Sequence, residues 1–353
     1  MPVYGVPSST YRDGGVGGVG AGWPRRAVHT AFVLSGGGNR GAVQVGMLRA
    51  LVEAGVEPDL LVGTSIGAIN GAAFAALPTI EGVYLAADVW RRIAASDVFP
   101  RRRFHGTWRF LERRPGVFSM DGLRSLVAGY LRFERLEDAP VPLLLVATRL
   151  DDGKEEWMTE GPALDAIMAS AALPGLYPAV DIGDRRYIDG GVLDNVAISA
   201  ALAAGAERVY VLLCGRVDAP PPAFTRPFEA MFSAFTLALG ARVRRDLAAI
   251  PPGVDVIVME QPGTVLFDPA DFSRTDELID QGYRSARDVL TEYERAKRYE
   301  VEVSDRDDRD GLGERLRRVA SVRRQRSQAN LQSSSPAAPN AARAEDEPSG
   351  STE

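Results

Sequence analysis

Two successive strand–glycine turn–helix units near the start of the chain constrain its fold most. The first unit joins the apolar run Ala31–Leu34 to a helical pattern over Ala42–Glu53. The second joins Leu60–Val62 to a helical pattern over Ile66–Ala76. Short strands without polar residues are typical of parallel sheets, because such strands are buried on both faces. The pattern therefore predicts an α/β fold.

The same alternation continues to about residue 297. Further strands and one long helix are predicted over Pro142–Thr148, Arg186–Ile188, Arg208–Leu213, Val254–Val258 and, for the helix, Thr275–Lys297. A capping pattern at Ser273 and Asp276 is expected to open that helix. The expected architecture is three-layer α/β/α, with a mostly parallel central sheet and helices on both faces.

Composition divides the chain into three regions. Residues 1–28 are rich in glycine and lack the apolar core of a secretory signal, so they predict a flexible arm. Residues 29–298 are the predicted folded domain. Residues 299–353 are charged and then low in complexity, which predicts disorder. Arginines between Arg315 and Arg326 leave contact with an anionic membrane as an alternative to a solvated tail.

One uncharged run, Leu60–Ile80, is long enough to span a bilayer. The turn residues inside it favour a buried strand followed by a buried helix, so no transmembrane helix is predicted and the expected location is cytoplasmic. Two segments leave peripheral membrane contact open. They are the Arg- and aromatic-rich stretch Val98–Phe118 and the apolar stripe of residues 227–250, for which core packing is the alternative.

The composition also excludes several kinds of site. The chain has two histidines, His29 and His105, so a Ser…Asp…His triad in α/β-hydrolase order is impossible. A single cysteine, Cys214, excludes an internal disulfide and a cysteine metal cluster. The formal net charge of −6 argues against a nucleic-acid partner. The sequence does not predict the oligomeric state.

The first glycine turn comprises residues 36–41, in one-letter code GGGNRG. It matches the G-x-G-x-x-G pattern of dinucleotide sites, which leaves a nucleotide-binding module as an alternative. That pattern needs an acidic residue at the end of the second strand, whereas Asp59 precedes this strand. A glycine turn before a helix also offers backbone N–H groups to an oxyanion, and a simple tight turn is the remaining alternative.

The second glycine turn, Gly63-Thr64-Ser65-Ile66-Gly67, is a G-x-S-x-G between a strand and a helix. This is the context of a nucleophile elbow, in which the serine hydroxyl is exposed on a sharp turn. Ser65 is therefore the candidate nucleophile, and the Ile66 N–H would face the oxyanion. A serine that only caps the helix is the alternative.

The candidate base is Asp189, which ends a predicted strand just before Gly190 and Gly191. Ligands meet α/β sheets at the carboxyl ends of strands, so Asp189 is expected near Ser65. An ordinary aspartate pKa of about 3.9 is low for a base, so the site would have to desolvate it. His105 is a weaker candidate, and an Asp-Gly-Gly turn without chemistry is the other alternative.

Taken in order, the two glycine turns and Asp189-Gly190-Gly191 make residues 30–297 resemble the patatin-like phospholipase family. Similarity extends to the segments 169–174 and 192–195. The resemblance implies a serine lipid acyl hydrolase of phospholipase A or lysophospholipase type, acting on phospholipid or lysophospholipid through an acyl-enzyme without metal or cofactor.

By the same resemblance, Ser65 is the nucleophile and Asp189 takes its proton. Backbone N–H groups of Gly36, Gly37 and Gly38 would form the oxyanion hole, and Arg40 would hold the loop or the oxyanion. A catalytically silent interaction protein remains the third possibility.

Overall fold

The computed structural model describes residues 27–98, 118–217, 227–262 and 271–310, except for the side chains of 227–236 and 300–310. The chain divides into two compact units, residues 1–294 and 295–353. The sheet, the site described below and the parts of the helices that cover the sheet up to residue 294 belong to the first unit.

Eight strands of the described residues form one sheet in the order β5-β6-β3-β2-β1-β7-β8, with β4 also paired to β3. They are β1 Thr30–Leu34, β2 Leu60–Thr64, β3 Leu143–Arg149, β4 Glu155–Met158, β5 Val180–Ile182, β6 Arg185–Asp189, β7 Arg208–Leu212 and β8 Asp255–Met259. The pairs joining β3, β2, β1, β7 and β8 are parallel, whereas β4, β5 and β6 pair antiparallel. The predicted, mostly parallel sheet is thereby confirmed.

The α-helices alternate with these strands. They are α1 Ala42–Glu53, α2 Ile66–Ala76, α3 Ile80–Arg92, α4 Ala95–Val98, α5 Asp121–Ala128, α6 Ala163–Ser170, α7 Ile198–Ala203, α8 Pro227–Ala248 and α9 Thr275–Asp310. Short 3-10 turns lie at Gly38–Gly41, Leu136–Asp138 and Gly190–Val192.

Strand β1 shows why helices cover both faces of the sheet. Its residues Phe32 and Leu34 belong to one hydrophobic cluster, together with α1, α2, α3 and α6. Ala31 and Val33 belong to a second cluster, together with α7 and Val243 of α8. Successive side chains of a strand point to opposite faces, so a strand without polar residues needs a helical layer on each side. The three-layer α/β/α architecture is confirmed.

Strands β2 and β6 share one edge of β3. Leu145 of β3 pairs with Gly63 of β2 and with Met158 of β4, so β2 and β4 lie on opposite edges. Ala147 pairs with both Asp189 of β6 and a residue of β4, which places β6 on the β2 edge. Along this edge of β3, the residues paired with β6 therefore follow directly after those paired with β2. Because β6 is antiparallel to β3 and β2 is parallel to it, the carboxyl ends of β2 and β6 face each other.

The predicted bounds of α1 and α2 agree with the structure, and the predicted strands agree to within two residues at either end. Strands β4 and β5 were not predicted, because they are short and carry charged residues. The last helix ends at Asp310 instead of Lys297, and residues 298–310 contain no glycine or proline that would end it earlier.

The capping pattern predicted for that helix is wrong. The Ser273 hydroxyl donates to Asp271 Oδ1 at 2.5 Å, and the Asp276 carboxylate accepts from Arg91 Nε at 2.7 Å. At the first residue of the helix, the Thr275 hydroxyl donates to the Phe272 carbonyl at 2.9 Å.

The uncharged run Leu60–Ile80 forms β2, α2 and the start of α3. Across the described ranges, no helix combines the length and the apolar character that crossing a bilayer requires. Nearly all of the predicted arm, most of Val98–Phe118 with His105, and the chain after residue 310 lie outside the described residues.

Candidate active site

Ser65 occupies the turn between β2 and α2 in a strained backbone conformation. Its φ is 56° and its ψ is −122°, and among the described non-glycine residues it alone has a positive φ. Such a conformation costs of order 1–3 kcal/mol. The backbone on both sides of Ser65 is packed tightly enough to hold this conformation. A Cβ on Gly63 would lie 2.6 Å from the Gly67 carbonyl oxygen, and one on Gly67 would overlap the Leu34 carbonyl.

The Ser65 hydroxyl donates a hydrogen bond to Asp189 Oδ2 at 2.6 Å. The other carboxylate oxygen of Asp189 accepts from the Gly191 N–H at 2.7 Å. Asp189 is only 2% exposed, and this burial raises its pKa to about 6, although both hydrogen bonds act in the opposite direction. Asp189 is thus ionised at neutral pH and is a stronger base than an ordinary aspartate.

Asp189 lies beside Ser65 as predicted, but its strand runs in the opposite direction from the one predicted. The prediction placed both residues at the carboxyl ends of strands running the same way. Strand β6 instead runs antiparallel to β3, so its carboxyl end points toward β2. The two residues meet because β6 is displaced along β3, beyond the end of β2.

The first glycine turn lies against Ser65, since a Cβ on Gly36 would be 3.2 Å from the Ser65 Cβ. One predicted oxyanion donor needs correction. The Gly36 N–H already donates to the Asn195 carbonyl at 3.1 Å. Within the described chain, the N–H groups of Gly37, Gly38 and Ile66 donate no hydrogen bond. The candidate donors to an oxyanion are therefore these three N–H groups.

Steric constraints explain the glycines at positions 37 and 38 of this turn, and Arg40 follows them on the pocket wall. Gly38 has a φ of 61°, which an L-residue rarely adopts, and Gly37 cannot carry a Cβ because it would overlap Cys214. Arg40 lies beside Gly215 on the wall of the same pocket, and burial lowers the pKa of its guanidinium.

Comparison with known proteins identifies a family over this region of the chain. The sequence model of the family described as "Patatin-like phospholipase" matches residues 32–202, which include both glycine turns and the aspartate. Residues 32–202 belong to the patatin-like phospholipase family.

Relatives of this patatin-like domain are much longer proteins. Patatin-like phospholipase domain-containing protein 7 of Rattus norvegicus is 32% identical over 190 residues, which cover 53% of this chain and 14% of that protein. Lysophospholipase NTE1 of Pyricularia oryzae is 26% identical over 287 residues, which cover 73% of this chain and 18% of that protein. The chain therefore spans less than a fifth of the length of these relatives.

Among solved structures, VipD of Legionella pneumophila matches this chain. It matches with a TM-score of 0.40 and 15% identity, over 76% of this chain and 67% of that one.

Ser170, at the end of α6, lies in the segment 169–174 that carries the family resemblance, but no role was predicted for it from the sequence. Its hydroxyl accepts the Ser65 N–H at 3.0 Å and donates to the Val146 carbonyl of β3 at 2.6 Å. Ser170 is fully buried. The side chain therefore ties the serine turn to the strand on which Asp189 is paired.

The segment after Asp189 is held by two neighbouring residues. Asn195 donates through Nδ2 to the Gly36 carbonyl at 3.4 Å, in addition to accepting the Gly36 N–H. Asp194 is fully buried and accepts from Arg242 Nη2 at 2.8 Å. Burial raises the Asp194 pKa, the nearby charge of Glu155 adds to this, and Arg242 opposes it. Arg242 is therefore a half-buried ion-pair partner of Asp194.

Asp59 and His29 lie at the opposite end of β1 from the glycine turn. The Asp59 carboxylate accepts the N–H groups of His29 and Thr30, both at 2.9 Å. The His29 ring contacts Glu207 at 3.2 Å and is exposed. Neither residue can serve a ligand at Ser65, which removes the acidic partner that a dinucleotide site would need.

A cavity of about 340 Å³ opens from Ser65. Its wall on the side of α2, α3 and α5 is mainly apolar, with Ile69, Ala73, Leu85, Val89 and Leu126 among its residues. In the ranges that the structure describes, no three His, Cys, Asp or Glu side chains converge as a metal site would require.

Proposed function

We propose that this chain is a serine lipid acyl hydrolase of phospholipase A or lysophospholipase type. The observation that carries this proposal is the 2.6 Å hydrogen bond from Ser65 Oγ to a desolvated Asp189, in a cavity with an apolar wall. A hydroxyl bonded to a poised base is the pair that nucleophilic catalysis requires. The apolar wall offers a surface suited to a fatty acyl chain.

Acylation begins when Ser65 Oγ attacks the ester carbonyl carbon and its proton passes to Asp189. The carbonyl oxygen becomes an oxyanion, which the N–H groups of Gly37, Gly38 and Ile66 are placed to receive. The tetrahedral intermediate then expels the alcohol of the lipid, which takes the proton from Asp189. An ester between Ser65 and the fatty acid remains.

Deacylation repeats these steps with water. Asp189 takes a proton from the water as its oxygen attacks the acyl carbon, and a second oxyanion forms at the same donors. Its collapse releases the fatty acid, and Ser65 Oγ recovers the proton from Asp189. The carboxylate is thereby returned to its starting state.

The names of the relatives support the substrate class, because they include a patatin-like phospholipase domain-containing protein and lysophospholipases. Phospholipid or lysophospholipid is therefore the proposed substrate, with peripheral contact to a lipid surface. A nucleotide-binding module is not favoured, because the Asp59 carboxylate bonds the N–H groups of His29 and Thr30 at the far end of β1.

The test is covalent labelling with a fluorophosphonate probe, followed by peptide mass spectrometry and by release of oleate from lysophosphatidylcholine. We expect labelling at Ser65 and hydrolysis in the unchanged chain, with both lost in Ser65→Ala. Ser199→Ala is a suitable control, since Ser199 is half-buried and does not contact Ser65. A folded protein that neither reacts nor hydrolyses would favour a silent interaction protein instead.

A further inference from the structure

The charged side chains around the cavity are unequally distributed. Among the described residues that line it are four arginines, Arg40, Arg132, Arg216 and Arg244, and a single carboxylate, that of Asp189. Asp189 is buried and bonded to Ser65, so it cannot neutralise groups at the mouth. The entrance of the cavity therefore has an excess of positive charge.

Two of these arginines, Arg216 and Arg244, lie close together on the side of the second helical layer. Arg216 follows β7, and Arg244 of α8 donates to the Val217 carbonyl at 3.2 Å. Both side chains are exposed, and among the described residues no carboxylate lies within ion-pair distance of either. The nearby Glu260 carboxylate accepts the Val217 N–H at 2.8 Å instead.

A third group beside them is a buried donor without an acceptor. Gln261 is 2% exposed, lines the cavity, and donates its backbone N–H to the Gly215 carbonyl at 3.2 Å. Its side-chain Nε2 has no hydrogen-bond partner. An unmade hydrogen bond at a buried amide is destabilising, so this N–H calls for an acceptor such as a water or a ligand oxygen.

From these observations we propose that Arg216, Arg244 and Gln261 form a subsite for an anionic phosphate headgroup. The headgroup rim, as we name these three residues, lies on the α8 side of Ser65, and the apolar wall lies on the α3 side. A bound lipid would place its acyl chain along the apolar wall and its phosphate at the rim. This inference rests on the proposed function and specifies its substrate as an anionic lipid.

Preference for net negative charge follows from what the rim lacks. Guanidinium groups and an amide N–H can bond phosphate oxygens, but the part of the lining that the structure describes offers no free carboxylate to the cation of a choline headgroup. Zwitterionic lipids should therefore gain less at this rim than lipids whose headgroup is a bare phosphate or a phosphoglycerol.

Binding can be measured without catalysis by calorimetry on the full chain with two amphiphiles below their micelle concentrations. Dodecyl phosphate and dodecylphosphocholine share a tail and contain no acyl ester. We expect the anionic compound to bind at least about tenfold more tightly, and this ratio to fall about fivefold in Arg216→Gln and in Arg244→Gln, as for an exposed charge contact. The ratio should stay unchanged in Arg245→Gln, an exposed neighbour that does not line the cavity.

Gln261→Leu separates a ligand-binding role from a purely structural one. If Nε2 awaits a ligand, this variant should unfold at a higher denaturant concentration than the unchanged chain and yet bind dodecyl phosphate less tightly. Loss of stability without loss of the anionic preference would contradict the subsite.

Three further results would overturn the inference. One is equal affinity for both amphiphiles, and another is a preference removed by Arg132→Gln but not by the rim variants. The third is inorganic phosphate binding as tightly as dodecyl phosphate, which would make the rim a site for a free anion. Hydrolysis of p-nitrophenyl butyrate tests the acyl hydrolase separately, so failure of the rim and failure of the proposed function can be told apart.

Discussion

Ser65 and Asp189 meet because their two strands end on consecutive residues of a third. Thr64 is the last residue of β2 and pairs with Val146, and Asp189 is the last residue of β6 and pairs with the next residue, Ala147. The nucleophile candidate and its base are therefore held by the register of one strand, not by a flexible loop. Catalysis by this pair should depend on a position that the sheet itself fixes.

The first prediction concerns the pair directly. Ser65→Ala should lower kcat for lysophospholipid by at least about 10⁴-fold, and Asp189→Asn by about 10²–10⁴-fold, since one removes the nucleophile and the other its base. Steady-state release of fatty acid measures both values. Circular dichroism should show an unchanged fold. Full activity in Asp189→Asn would contradict the proposed dyad.

The second prediction is a dependence of activity on pH. Burial raises the Asp189 pKa to about 6, and only the ionised carboxylate can accept the Ser65 proton. The value of kcat/KM should therefore rise with pH to a plateau, with a midpoint near pH 6. A water-soluble neutral ester such as p-nitrophenyl butyrate keeps the substrate's own ionisation out of the profile. A midpoint near pH 4 would mean that the carboxylate is solvated.

The third prediction is that Asp189→Asn stabilises the protein while inactivating it. Because the folded pKa of about 6 exceeds the ordinary value of 3.8, the unfolded state loses its proton first as pH rises. Stability therefore falls between about pH 4 and pH 6 and stays lower above that range.

An asparagine lacks this penalty and can still bond both Ser65 and the Gly191 N–H. We expect a gain of about 1–3 kcal/mol in the free energy of unfolding at pH 7.5, and none at pH 3.5. Urea titrations at the two pH values measure it. Asp184→Asn is a control, as its exposed carboxylate lies in the turn between β5 and β6.

The fourth prediction concerns Ser170 as a positioning residue. Ser170→Ala leaves the Ser65 N–H and the Val146 carbonyl without their partner, which should cost about 1–3 kcal/mol of stability. A loosened serine turn should also lower kcat about tenfold with little change in KM, because the apolar wall is untouched. Kinetics on lysophospholipid test the split. A change confined to KM would contradict a positioning role.

Local sequence patterns predicted much of this protein because local chemistry decides those features. Uncharged β-strands require burial on both faces, so the run around Phe32 already implied a covered, parallel sheet. The glycines flanking Ser65 implied a sharp turn, since no other residue allows such close backbone contact. Asp189 could be selected because the chain offers no histidine after residue 105.

Other features depended on contacts between distant segments and had no local signal. Strand β6 was expected to run with the parallel strands, but its direction is set by pairing with β3. Gly36 was predicted as an oxyanion donor, but Asn195, 159 residues away, already accepts its N–H. The roles of Ser170 and Gln261 became evident only from the fold, which places Ser170 beside Ser65 and Gln261 in the same cavity wall as Arg216.

The sequence alone thus determined which residue types stand on which turns, because burial and backbone sterics act over a few neighbouring residues. Only the tertiary structure decided the pairing of Ser65 with Asp189, the elevated pKa of that carboxylate and the unpaired donor of Gln261. Each of these depends on the distance between segments far apart in the chain and on the exclusion of water from between them. Those quantities exist only once the sheet has formed and its helices have closed over it.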